Sequence, residues 1–529
     1  MQKFLPLLYC TLLAYSSSSV DAQNPSLQGP SVDVDYAQFQ GAFDPETNVT
    51  NFLGIRYATS PTGDLRFRAP QPPAPITGVQ QADTEPPECV QGLVTDSEDC
   101  LFLNVHTPGS RISATSSLPT VVWIHGGGHV LILQYAGGNG SMYHGSDLLQ
   151  QANNEVVAVI VQYRLGLFGF LAGKNVKENG DLNAGLLDQH LALQWVNEHI
   201  SKFGGDPEKV TIWGESAGAG SVLQHVVAQD GQTSPPLFRA AITSSTFLPS
   251  QYPFDDAVPE ALYTEVVSQS NCSSASDTLT CLRAADLDVL RTVNTNIQDA
   301  AFSGTFAFVP VIDGNFITQR PTVALKEGKV NGRAFLAITN TNEGNDFVDQ
   351  TGVVMNTSIY AGQLFPKFGS AQDNEVAKQY AGLGTTLNQI NNIMGDSIFK
   401  CPSFFMLNAF HEHGFNTFKG EFAIPPALHG MDVNYYFPST GPISFQNPRF
   451  SAAFSQSFLS FVIFLDPNIK VDPQEDMTPP WSMFQIADTE MIFNKTVVGN
   501  GTNIHPVRVD DGLLERCSFW DSVGALTGQ

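Results

Sequence analysis

The sequence predicts an α/β fold, a mostly parallel central sheet flanked by helices, and three observations carry that prediction. Residues 120–124 and 156–163 are continuous apolar, β-branched runs, the composition of parallel strands covered on both faces. After the second run comes a strong helix, with Leu187, Leu191, Trp195 and Val196 on one side at spacings of three and four. A strand at 210–213 then leads into Gly214-Glu215-Ser216-Ala217-Gly218 and another helical stretch. Strand, helix, strand, tight turn, helix is the order of a doubly wound sheet.

From the N-terminus, Lys3, the apolar stretch 4–15 and Val20-Asp21-Ala22 read as a signal peptide, residues 1–22, removed from a secreted protein. No later run has the length of a membrane span; the nearest, 458–465, stops at Asp466-Pro467. With no repeat or long linker, residues 23–529 are expected to form a single domain. The formal net charge of −25 excludes nucleic acid and anionic membrane as main partners, because both select basic surfaces.

Six cysteines follow the signal peptide: Cys89, Cys100, Cys272, Cys281, Cys401 and Cys517. An even number in an oxidising compartment suggests three disulfides, and sequence alone allows many connectivities. Proximity favours Cys89 with Cys100 and Cys272 with Cys281 in a hairpin region, leaving Cys401 with Cys517. No C-x-x-C spacing is present, so a structural metal site is not expected. N-x-S/T sequons at Asn48, Asn139, Asn271, Asn356, Asn494 and Asn500 are candidate glycosylation sites.

Within the central helix, Asn183 is the expected N-cap, and Gly204-Gly205-Asp206-Pro207 breaks the chain before the third strand. Further strands are expected at 334–339 and 415–422, with a helix at about 402–413 stopped by Gly414.

The G-x-S-x-G pentapeptide places a serine on a sharp strand-to-helix turn, which tolerates no bulk two residues to either side. A serine hydroxyl becomes a nucleophile only when a base takes its proton, and the base must be oriented by an acid. On sheets of this kind the nucleophile comes first in the chain, the acid second and the histidine last. Downstream candidates for the base are His411, His413, His429 and His505. His411 and His413 suit the C-terminus of a helix, and His505 precedes a proline in a polar loop. His429 follows Pro425-Pro426 just past a strand, where a catalytic histidine belongs. Glu343, in the segment after strand 334–339, is the acid of choice and Asp346 the runner-up. Ala217 and the run Gly126-Gly127-Gly128 can supply backbone N–H donors to an oxyanion.

Taken together, Phe52-Leu53-Gly54-Ile55, Leu65-Arg66-Phe67, Ser97-Glu98-Asp99-Cys100-Leu101, Gly126-Gly127-Gly128, Tyr163-Arg164, Gly185-Leu186-Leu187-Asp188-Gln189, Phe203-Gly204-Gly205-Asp206-Pro207 and the Ser216 pentapeptide resemble the type-B carboxylesterase/lipase family. The resemblance covers nearly the whole mature chain. It implies an α/β-hydrolase fold, a triad of Ser216, Glu343 and His429, an oxyanion hole at Gly127, Gly128 and Ala217, and the three disulfides above. It also implies structural ion pairs for Arg66 with Glu98 and Arg164 with Asp188.

The chain departs from the family's pattern at His129, where an aromatic is usual, and at Arg56, where proline is common. Only ten residues separate Cys89 from Cys100, too few for the long amphipathic flap of lipases, so a short or absent lid is expected. Phe454, Phe458, Phe461 and Phe464 recur at helical spacing and are expected in the core, with an acyl tunnel as the alternative; residues 130–133 are a second apolar candidate. The expected protein is a secreted serine carboxylic-ester hydrolase that needs no metal or organic cofactor and whose partner is a small-molecule or lipid ester. The alternatives are a lipase or sterol-ester hydrolase on long acyl chains, and a non-catalytic adhesion protein on the same fold.

Overall fold

The computed structural model describes residues 27–92, 95–113, 115–127, 137–352, 354–474 and 477–529. The expected signal peptide, Gly128, His129 and residues 130–133 lie outside them. Thirteen strands are present among the described residues. The N-terminal ones are β1 (Leu27–Asp33), β2 (Gln38–Asp44), β3 (Val49–Arg56), β4 (Val79–Ala82) and β5 (Phe102–Pro108). The central ones are β6 (Leu118–Ile124), β7 (Val157–Val161), β8 (Gly205–Glu215), β9 (Ala240–Ser244), β10 (Ala334–Asn340) and β11 (Asn416–Phe422). A hairpin of β12 (Thr489–Lys495) and β13 (Thr502–Arg508) closes the sheet.

The spatial order is β1-β2-β3-β5-β7-β6-β8-β9-β10-β11-β12-β13, with β4 beside β2. From β7 to β12 every neighbouring pair is parallel, while the two edges are antiparallel. This is the α/β-hydrolase arrangement, a mostly parallel sheet with helices on both faces. The unbroken apolar runs of the sequence serve those two faces alternately. Along β6, Val122 and Ile124 join one core, and Val121 and Trp123 the other. Because successive side chains of a strand point to opposite faces, a strand buried on both sides has no polar position left to alternate.

The central helix α1 (Ala184–His199) occupies the predicted place. Asn183 precedes it in the left-handed region but makes no side-chain cap, contrary to expectation. Its amide instead donates to the Val311 carbonyl and Asp313 Oδ2 and accepts from the Val311 N–H, so tertiary bonding claimed the side chain. The expected break at Gly204–Pro207 also shifts. Only Gly204 turns, at φ 88°, and β8 begins at Gly205, with a register slip opposite β6 that accommodates Pro207.

After Ser216 come α2 (Ala217–Val227), α3 (Ala257–Gln269), α4 (Thr278–Ala284), α5 (Cys401–Glu412) and α6 (Pro448–Phe464). The three disulfides are Cys89–Cys100, Cys272–Cys281 and Cys401–Cys517. Cys272, three residues past the end of α3, is linked to Cys281 inside α4 rather than across a β-hairpin, because Asp277 caps α4 through the Thr280 N–H. His505 lies inside β13 instead of a loop, and Pro506 sits at the outer edge of the sheet, where proline is tolerated. On α6, Phe454, Phe458 and Phe461 are fully buried against Trp213, Phe418 and Tyr436, so that stripe is core; Phe464 is exposed.

Candidate active site

The parallel strands end on one edge of the sheet, and the sequence-predicted residues gather there. Ser216 sits between β8 and α2 at φ 56°, ψ −122°, with its N–H donating to the Ser244 carbonyl of β9 at 3.0 Å. A Cβ on Gly214 would lie 2.4 Å from the Gly218 backbone, and one on Gly218 would lie 2.0 Å from the Ile124 carbonyl oxygen. Both positions therefore require glycine, and the turn fixes the Ser216 side chain at the strand's end.

His429 lies seven residues beyond β11 (429 − 422 = 7). Its loop is tied to the segment after β10: the Asn342 N–H donates to the Ala427 carbonyl at 2.9 Å, and Asn342 Nδ2 to the Pro426 carbonyl at 2.7 Å. This brings His429 Nε2 to 2.8 Å from Ser216 Oγ and Nδ1 to 2.6 Å from Glu343 Oε2. Glu343 is buried, and its Oε1 accepts from the Asn340 N–H at 2.6 Å and Ser245 Oγ at 2.7 Å. Asp346, the runner-up, is exposed. The serine, imidazole and carboxylate thus form one hydrogen-bonded line on the connections that follow β8, β11 and β10.

Several neighbours of that line carry no motif of their own. Phe347 and Phe399 pack on the His429 ring, with centroids 5.0 and 4.5 Å away. Glu215 Oε1 is 3.2 Å from His429 Nε2, and the buried Asp432 accepts from Asn340 Nδ2 and from the Tyr436 hydroxyl. Burial would lower the His429 pKa, but the carboxylates of Glu215, Glu343 and Asp432 outweigh it and raise it. Burial in turn pushes the Glu215 carboxyl up, with His429 opposing. Glu215 was visible inside the pentapeptide, and Asp432 three residues after His429, but only folding shows that Glu215 reaches the imidazole and that Asp432 acts on its charge.

Ala217 opens α2, and Gly127 follows β6 at the same edge. Gly128 lies outside the described residues, as does His129. The ring of His125 stacks on Tyr163, and the Tyr163 hydroxyl donates to the His125 carbonyl at 2.7 Å, which anchors the start of the glycine run. Among the described residues, Phe247 packs on Phe306 and Phe399. Phe306 and Ile398 line an apolar cavity of about 130 Å³ together with Leu262, Val309, Leu364 and Phe365. The cavity has no local signature in the sequence because its walls come from segments spread between Phe170 and Ile398.

The profile of the carboxylesterase family matches residues 28–502. The chain belongs to the carboxylesterase family. It is accordingly a carboxylic-ester hydrolase on the α/β-hydrolase fold. Lipase 2 of Diutina rugosa is 30% identical over 79% of this chain and 84% of its own length. Secreted lipase 1 of Botryotinia fuckeliana is 34% identical over 56% of this chain and 57% of its own length. The crystal structure of Aspergillus niger EstA superimposes with a TM-score of 0.84 at 30% identity, covering 95% of this chain and 99% of that one.

The buried ion pairs implied by resemblance to this carboxylesterase family are present. Arg66 grips Glu98 with two bonds of 2.6 and 2.7 Å, and Arg164 grips Asp188 with bonds of 2.8 and 2.7 Å. Such forks hold loops in register, since removing one partner would strand a buried charge. Arg56 pairs with Asp99 through bonds of 2.6 and 2.8 Å and lies 4.4 Å over the Phe102 ring, a structural use of that departure. His413 ends α5 and bonds the Gly328 carbonyl, in keeping with an end-of-helix role.

Proposed function

We propose that this esterase is a secreted serine hydrolase that works through an acyl-enzyme, with Ser216 as nucleophile, His429 as base and Glu343 as the acid that orients it. The observation that carries the reading is the unbroken line of 2.8 and 2.6 Å contacts from Ser216 Oγ through His429 to Glu343. In the first step Oγ attacks the ester carbonyl while Nε2 takes its proton, and the tetrahedral oxyanion is met by the N–H groups of Ala217, Gly127 and Gly128. Nε2 then gives that proton to the leaving alcohol. Water, deprotonated by the same nitrogen, releases the acid and frees Ser216. Glu343, fixed by Asn340 and Ser245, holds Nδ1 protonated so that Nε2 presents its lone pair to Ser216. The reading requires no metal or cofactor, and it treats residues 23–529 as one domain.

Secretion is supported by the N-terminal apolar stretch, by three disulfides and by the name of the Botryotinia relative. A short lid is supported by the Cys89–Cys100 loop, in which the N–H groups of Gln91 and Gly92 both donate to Asp96 at 2.9 Å and Asp96 pairs with Arg291. These bonds anchor Gln91 and Gly92 to Asp96, and Asp96 to Arg291. The apolar cavity beyond Phe306 and the lipase relatives favour a second reading, a lipase acting on longer acyl chains. Ser216→Ala is expected to abolish hydrolysis of p-nitrophenyl butyrate with the circular dichroism spectrum unchanged, and retained turnover overturns the assignment. Glu343→Gln should slow the reaction by orders of magnitude and Asp346→Asn should not. A rate that jumps when the ester exceeds its solubility limit selects the lipase reading over the short lid.

A further inference from the structure

The opposite edge of the sheet carries a second cluster of chemically able side chains. The turn between β1 and β2 holds Asp35 at φ 71°, and the C-terminus of α1 holds Glu198 and His199. His199 is 4% exposed, whereas the carboxylates of Asp35 and Glu198 are 73% and 71% exposed. Its Nδ1 is 3.8 Å from Asp35 Oδ2 and its Nε2 3.8 Å from Glu198 Oε2. Both separations are too long for a hydrogen bond, and Nδ1 is buried without a partner.

We propose that Asp35, Glu198 and His199 form a binding site for a divalent transition metal of the zinc type. One ligand atom from each residue already lies within 4.8 Å of the others. Two ligands about 2.0–2.1 Å from a tetrahedral ion stand roughly 3.3–3.5 Å apart. One ion takes only one ring nitrogen, so an ion on Nδ1 needs the exposed Asp35 carboxylate to close by about half an ångström and the exposed Glu198 carboxylate, which faces Nε2, to swing further. With a carboxylate opposite each ring nitrogen, a neutral imidazole presents a bare lone pair to one of them, and a cation between the two relieves that repulsion. The rings of Trp195 and Tyr36, edge-on at 5.2 and 6.1 Å, hold the imidazole in place. The groove beside it, about 660 Å³ and lined by Val34, Pro72 and Leu237 among others, leaves room for water on a fourth position.

The charged competitor is Lys202, whose Nζ bonds Asp35 Oδ2 at 2.7 Å. That pair is solvent-exposed and therefore weak, so an ion can displace it. The site would clip the N-terminal hairpin to α1, at the far end of β8 from Ser216.

The test is calorimetric titration of zinc chloride into chelator-treated protein. One site of micromolar affinity is expected in the wild type. His199→Gln should weaken it at least about tenfold, and Lys202→Met should tighten it severalfold by removing the competitor. Asp35→Asn, at an exposed turn, provides a second loss-of-binding variant should His199→Gln fold poorly. All three variants should hydrolyse ester at the wild-type rate. Cobalt(II) bound there should also quench Trp195 emission in the wild type and not in His199→Gln. Identical zinc isotherms in the wild type and the ligand variants, or unchanged affinity in Lys202→Met, would overturn the proposal.

Discussion

Glu215→Gln puts the electrostatics of the active site to the sharpest test. His429 must be neutral to take the Ser216 proton, so kcat/KM rises with pH as the imidazolium loses its proton. Burial lowers that pKa, yet the surrounding carboxylates carry it from 6.5 to about 9, a net rise of 9 − 6.5 = 2.5 pH units. Glu215 makes the largest of the charge contributions, from 3.2 Å. Two full charges at that distance and an effective dielectric of about 20 interact by about 5 kcal/mol, which corresponds to ~4 pH units and sets a ceiling. The net rise stays below the ceiling because burial opposes it and also pushes the Glu215 carboxyl up, leaving it part of a charge near neutrality.

Glutamine keeps the shape of Glu215 and removes its charge. The midpoint of the acidic limb should therefore fall by about 1–2 pH units, making a larger fraction of the enzyme active under acid conditions. The assay is kcat/KM for a soluble p-nitrophenyl ester from about pH 4 to about pH 10, each enzyme normalised to its own plateau. Normalisation removes any loss of amplitude caused by altered packing beside Gly126 and Ser216. A limb that stays within about 0.3 pH units of the wild type would refute the reasoning, because Glu215 would then be neutral throughout the working range.

Phe306→Ala should join the apolar cavity to the space around Phe247 and Phe399, raising kcat/KM for longer acyl chains relative to butyrate. Each further methylene buried adds about 0.8 kcal/mol, or about fourfold, and a flat chain-length series would show that the acyl chain lies elsewhere. Replacing Cys401 and Cys517 together by serine opens a link with a sequence separation of 116 residues. The chain-entropy relation puts the loss at about 5 kcal/mol, to be read from urea denaturation of the two proteins. Asn139 is buried, donates to Glu88 at 2.6 Å and accepts from the Met142 N–H. Its tryptic peptide should carry no glycan, whereas Asn48, Asn271, Asn356 and Asn500 are exposed and accessible; mass spectrometry before and after endoglycosidase reads the difference.

What could be read from the chain follows the range over which each signal acts. The strands at 120–124 and 334–339 and the helix around Leu187–Trp195 were legible because apolar content and spacing are local properties, and the observed elements contain them. Ser216 was legible because only two glycines at fixed spacing permit its backbone. Asn183 misled because its side chain is a local helix cap in sequence terms, yet bonding to Val311 and Asp313 from a distant loop wins in the fold. The hairpin expected at Cys272 and Cys281 failed for a related reason: disulfide spacing reports closeness, not the conformation between the partners. Phe347, Phe399 and Asp432 left no trace, since an aromatic or a carboxylate acquires its role around His429 only when separate strand ends converge.

That convergence explains why the fold tolerates so charged a site. Three carboxylates around one buried imidazole would repel each other strongly in an apolar setting. Glu343 is met by two donors, Asp432 by an amide and a phenol, while Glu215 is left facing the imidazole itself. Two of the three are therefore held by neutral dipoles and cannot follow the proton as it moves. Glu343 also meets the imidazole, at 2.6 Å from Nδ1, but Glu215, 3.2 Å from Nε2, makes the larger coulombic contribution to its charge. In the proposed mechanism the line from Glu343 orients His429, and Glu215 sets the pH at which the imidazole is free to take the Ser216 proton.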